Sequence, residues 1–229
     1  MRAALFSLVG LLWMFPGAAL AGSESAVSAP SVELGATLAT MNAAYKDVAG
    51  IRGSFIQTTS GISYPQPHVQ SGVLSLKAPG KMRWDFVSPT KTQYLSDGAS
   101  LWVLEPDDKK CTVFSTVTGM MQVIYGFLTG SADPQKHFKV SHADSSEAAD
   151  APVTGAIALT LVPLEAMGSI ESVRVYLDPG THRVVGVSML TPFGDRTDTV
   201  LSDVVLGADL PDADFVYVDR EGWRTVQGD

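Results

Sequence analysis

Four histidines, a single cysteine and two close aspartate pairs are the residues of this chain best suited to chemistry. His68, His137, His142 and His182 could bind a metal or move protons, because imidazole titrates near neutral pH. None stands in an H-x-x-x-H or H-E-x-x-H spacing, and no second ligand type clusters with them. His137 and His142 fall on opposite faces if both belong to one strand, so surface or loop positions are the reading. Cys111, in Cys111-Thr112-Val113-Phe114, lacks the His or second thiol that nucleophilic, metal or disulfide chemistry requires. Asp107 with Asp108, and Asp195 with Asp198, are near enough for acid/base work. Both pairs lie in turn-like polar sequence, where Asp serves the backbone. There is no G-x-S-x-G elbow and no glycine-rich phosphate loop. Catalytic residues, metal ligands and cofactors are none by this reading, and no enzyme is expected.

What remains is apolar contact. In the stretch Met82-Arg83-Trp84-Asp85-Phe86, the side chains of Met82, Trp84 and Phe86 share one strand face and Arg83 and Asp85 the other. Leu74 and Leu76 before it, and Leu101 after it, extend the same oily surface. Eight methionines are present, and Met41, Met82, Met120 and Met121 fall on expected oily surfaces. Unbranched thioethers suit a surface that must accept variable apolar shapes. The run Met120–Leu128 places Met120, Ile124 and Phe127 beside Met121, Tyr125 and Leu128, so a short helix there is apolar over most of its girth. Gly126 weakens that helix, which favours a lid over a structural element. Periodicity alone leaves open whether the oily face covers the protein's own core or a ligand cavity.

These residues need elements to hold them. Met1-Arg2, the apolar run from Ala3, Pro16-Gly17 and Ala19-Leu20-Ala21 read as a signal peptide over residues 1–21, with Gly22 and not a Cys directly after the cleavage site. Export to a soluble form is the expectation. Residues 22–229 then suffice for one domain. Leu34, Leu38, Met41, Tyr45 and Val48 predict an amphipathic helix with Ser31 as N-cap and Gly50 as its stop. From Ile51 the pattern is one of short strands and tight turns, ending with Phe215–Val218. Ser141–Thr154 reads as a mobile polar loop. The fold class is mainly β (α+β), a large curved antiparallel sheet or incomplete antiparallel barrel of about eleven strands with helices against its concave side. The formal charge of −8 argues against nucleic acid and against adsorption to anionic membranes.

An ordered set of motifs carries a resemblance. Phe55-x-Gln57, Gly72-x-Leu74, Lys77-x-Pro79-Gly80-Lys81-x-Arg83-Trp84-x-Phe86, Pro89, and Ser96-Asp97-Gly98-x-x-Leu101-Trp102 resemble the periplasmic outer-membrane lipoprotein carrier family, LolA. Phe215-x-Tyr217 and Gly222-Trp223 are similar to that family's C-terminal end. The resemblance implies an incomplete antiparallel barrel with a helical lid over an apolar cavity that takes the acyl chains of lipoproteins. On this chain the cavity residues would be Leu74, Leu76, Met82, Trp84, Phe86, Leu101, Met120, Met121, Ile124, Phe127 and Leu128. It also implies as partners an inner-membrane lipoprotein-releasing ABC transporter and an outer-membrane lipoprotein receptor, served by a monomer. A periplasmic lipid- or lipoprotein-sensing regulator of the same fold is the alternative. Where well-studied members have a basic residue before the motif proline, this chain has Ala78, so a lid that rests more open is expected.

Overall fold

The computed structural model describes residues 30–115, 125–126, 128–129, 133–167 and 170–228. The expected signal peptide lies outside them. Helix α1 (Pro30–Tyr45) precedes a single sheet of twelve strands. In chain order these are β1 (Gly50–Gly61), β2 (Tyr64–Lys77), β3 (Lys81–Ser88), β4 (Gln93–Asp97), β5 (Leu101–Glu105) and β6 (Lys110–Phe114). After them come β7 (Phe138–His142), β8 (Ile157–Pro163), β9 (Ser172–Leu177), β10 (Val184–Leu190), β11 (Arg196–Leu206) and β12 (Arg224–Gln227). The sheet order is β12-β6-β5-β4-β3-β2-β1-β11-β10-β9-β8-β7, so its ends do not meet and the barrel stays open. Every pairing is antiparallel except that of β12 with β6. Strands joined by short turns meander as expected; β1 against β11 is the long-range pairing that joins the two halves.

The alternation of β3 holds in space. Met82, Trp84 and Phe86 are buried on the inner face, while Arg83 and Asp85 are half-exposed on the outer one. α1 lies on the inner face through Leu38, Met41 and Tyr45, with Leu34 and Val48 packed beside them. The helix differs from expectation at both ends. Ser31 lies inside it rather than capping it, because Pro30 already belongs to its first turn, where a missing N–H costs nothing. It stops at Tyr45, with Asp47 left-handed at φ 62°, and Gly50 is the first residue of β1.

Two further stretches depart from expectation. Phe215–Val218 is not a strand. Asp212–Phe215 forms a 3-10 turn against β3 and β4, and the last strand is Arg224–Gln227. The segment from Leu210 instead crosses the outer face as a strap. There Leu95, Leu104 and Cys111 form a second small core with Trp102, Val113, Tyr217 and Trp223. Trp102 stacks on Tyr217 at 5.7 Å between ring centroids. Ser141–Thr154, read as a mobile loop, contains helix α2 (Ser145–Ala149). Asp144 accepts hydrogen bonds from the Ser146 and Glu147 amides, and Glu147 accepts from the Asp144 amide in return. Glu147 also accepts from Arg174 (3.0 Å) and Thr160 (2.9 Å), which tie the helix to the outer face.

Candidate functional site

Strand register sets the expected cavity residues side by side. Leu74 pairs with Trp84, and Trp84 with Tyr94; Leu76 pairs with Met82, Met82 with Ser96, and Ser96 with Leu101. Leu74, Leu76, Met82, Trp84, Phe86 and Leu101 thus share one inner surface, and Leu128 joins it from the segment after β6. All seven are buried, in one cluster with Leu38, Met41 and Tyr45 of α1, and Tyr125 packs against it. Met120, Met121, Ile124 and Phe127 lie outside the described residues.

Aromatic side chains form the middle of this floor. The Phe55 ring lies 5.0 Å from Trp84 and 4.9 Å from Phe86, and Phe86 lies 5.8 Å from Tyr94. Phe55 faces Gly72 across the β1–β2 pair. A Cβ at position 72 would stand 2.7 Å from that ring and 2.0 Å from the Asp85 carbonyl oxygen, so only glycine admits the ring here. Trp84 is 2% exposed, and its indole Nε1 has no hydrogen-bond partner among the described residues.

The covering pieces are held by two phenols. At the end of α1 the Tyr45 hydroxyl accepts from the Val184 amide of β10 at 2.8 Å. The Tyr125 hydroxyl accepts from the Gly80 amide (2.5 Å) and donates to the Lys77 carbonyl (3.3 Å), spanning the β2–β3 turn that contains Ala78. Burial pushes both phenols up from their ordinary value, which keeps them neutral donors and acceptors. Tyr125, the described residue of the expected lid segment that reaches this turn, thus contacts backbone groups on either side of Ala78.

Toward the β1–β2 and β10–β11 hairpin ends the same inner surface becomes polar. Thr59 and Thr197 hydroxyls lie 3.2 Å apart, and Gln57 reaches both Gln70 and Thr199 at 3.5 Å. The inner surface is thus apolar over its middle and carries uncharged hydrogen-bonding groups at one end. Among the described residues no three His, Cys, Asp or Glu side chains are grouped to hold a metal ion.

The description "Outer membrane lipoprotein carrier protein LolA" matches residues 46–218, a span that contains the whole aromatic floor. The chain belongs to this carrier family. An outer-membrane lipoprotein carrier protein of Dechloromonas aromatica is 24% identical over 79% of this chain and 83% of its own length. That of Bordetella pertussis is 25% identical over 95% and 96%. An uncharacterized conserved protein from Thermus thermophilus, of known structure, superimposes with a TM-score of 0.52 at 8% identity, covering 86% of this chain and 99% of that one, which supports the fold alone.

Residues outside the expected set complete the inner floor. Phe55, Tyr94, Val187 and Leu201 join the inner cluster, as do Leu38, Met41 and Tyr45 from α1. Phe55 carried a signal, since it stands in a motif with Gln57. The Tyr125 tie carried none, because it depends on how a turn meets a segment 45 residues away.

Proposed function

We propose that this protein carries acylated lipoproteins across the periplasm, taking their acyl chains onto the inner face of the open sheet. Membership of the carrier family, read together with an unbroken aromatic and aliphatic floor, supports this reading. Each CH₂ shielded from water is worth roughly 0.8 kcal/mol, so several long chains leaving a membrane unaided face a barrier of tens of kcal/mol. A carrier lowers that barrier by offering apolar surface, and it must later release the chains. A floor closed by separable helical pieces serves both needs better than a sealed core. Cargo would come from an inner-membrane lipoprotein-releasing transporter and pass to an outer-membrane receptor.

The test is release of lipoproteins from spheroplasts with and without the purified protein. Soluble lipoprotein in stoichiometric complex is the expected result. Absence of any complex, together with unchanged outer-membrane lipoproteins on depletion, would turn the assignment toward a regulator of the same fold.

A further inference from the structure

Among the described residues, Trp84 Nε1, like Asn42 Oδ1 and His142 Nε2, is a buried polar atom that the fold leaves without a partner, and Trp84 stands in the aromatic floor. Trp84 is almost wholly withdrawn from solvent, yet its Nε1–H donates to no oxygen or nitrogen among the described residues. Its ring lies between Leu74 and Tyr94 in register and against Phe55. A phenylalanine would give an aromatic wall without a buried donor, so the indole brings a desolvation cost that packing does not require. Buried Trp N–H groups ordinarily find an acceptor. What the floor is read to bind supplies one: an acyl chain ends in an ester or amide carbonyl, a strong acceptor, whereas its hydrocarbon has none.

We propose that Trp84 Nε1–H donates a hydrogen bond to an acyl carbonyl of the bound lipid, so that the floor reads the chain's linkage as well as its hydrocarbon. The proposal rests on the acyl-carrier reading above. It places a carbonyl at mid-floor, with the hydrocarbon along Leu74, Leu76 and Met82 and the rest of the head past Phe55 and Phe86 toward the polar row of Gln57, Thr59 and Thr197.

The experiment compares a diacylglycerol with its dialkyl ether of equal chain length, titrated into the full chain and into Trp84→Phe. The ether keeps the hydrocarbon and lacks the carbonyls. Native protein should prefer the diacyl lipid by roughly threefold to tenfold, the worth of one neutral hydrogen bond. Trp84→Phe should lose that preference and bind the two lipids equally, at the affinity its smaller ring leaves to both. A second reading needs no variant: in nitrogen-labelled native protein the Trp84 indole N–H proton resonance should move downfield with the diacyl lipid and not with the ether. Equal affinities in the native protein, or a preference that survives Trp84→Phe, would overturn the hydrogen bond while leaving the carrier reading intact. Failure of both lipids to bind native protein would overturn the carrier reading and the inference with it.

Discussion

Phe55 stacks obliquely on Trp84 and edge-on against Phe86, over the bare backbone of Gly72. Tilted and edge contacts match the positive rim of one ring to the negative face of the next. Phe55 is 1% exposed, so its neighbours depend on it for contact on several sides. Phe55→Ala should lower the unfolding free energy by about 3–5 kcal/mol in denaturant melts, because the rings around it cannot collapse into the space. A loss near zero would mean that the floor already contains room beside Phe55. Tyr125 is the other decisive side chain. Tyr125→Phe keeps the ring and removes the contact to the Gly80 amide and the Lys77 carbonyl. Roughly 0.5–1.5 kcal/mol of local stability should go with it. Hydrogen exchange at the Thr129 amide, which bonds to the Tyr125 carbonyl, should then speed up relative to the strands. Unchanged exchange there would show that packing of Leu128 alone holds the segment.

Among the elements, the C-terminal strap is tied at its start by charge. Lys77 donates to the Leu210 carbonyl and, with Lys81, contacts Asp212 at 2.7 and 2.9 Å. The hydrogen bonds from Lys77 and then Lys81 hold the Asp212 carboxyl at about 2, below its ordinary 3.8. A carboxyl depressed by folding contributes stability above its unfolded value, and that contribution is lost as pH falls through the folded value. Asp212→Asn should therefore lower the melting temperature at neutral pH. The gap to native protein should close as pH is taken from 3.8 down through about 2. The carboxylate is solvent-exposed, so the gap should be small and should shrink with added salt. A gap that persists below pH 2 would assign the tie to backbone contacts, such as Arg83 with the Asp214 carbonyl. The strap differs in this from α2, whose capping box and Glu147 bonds make it a fixed part of the outer face.

At the scale of the whole molecule, one open sheet presents two unlike faces. The inner face of β1–β3 joins that of β8–β11 in a single apolar cluster with α1. The outer face instead carries polar rows, such as Thr160, Arg174, Ser188 and Asp198 in successive register across β8–β11. Carrying acyl chains then requires the covering pieces to part, with lipid replacing their side chains on the floor. Binding of a diacyl lipid should give a negative heat-capacity change, the mark of apolar surface leaving water. It should also raise hydrogen exchange in α1 above that of β1 and β2, since the helix must yield its contacts through Leu38 and Met41. Calorimetry at several temperatures and exchange with and without lipid would check both. Binding without change in α1 would place the chains elsewhere than under this helix.

The sequence by itself determined the local geometry. A period of two in Met82-Arg83-Trp84-Asp85-Phe86 specifies which side chains share a face, and the Leu38, Met41, Tyr45 spacing specifies a helix stripe. Both follow from backbone geometry over a few residues, so they are legible without neighbours. The ordered motifs from Phe55 to Trp102 extended that reading to the family. Tertiary structure alone decided that β1 pairs with β11, that Phe55 lies over Gly72, and that Tyr125 docks on the β2–β3 turn. It also decided that Phe215 anchors a strap instead of entering a strand. These outcomes depend on contacts between residues far apart in the chain, where burial and hydrogen bonding outweigh local preference.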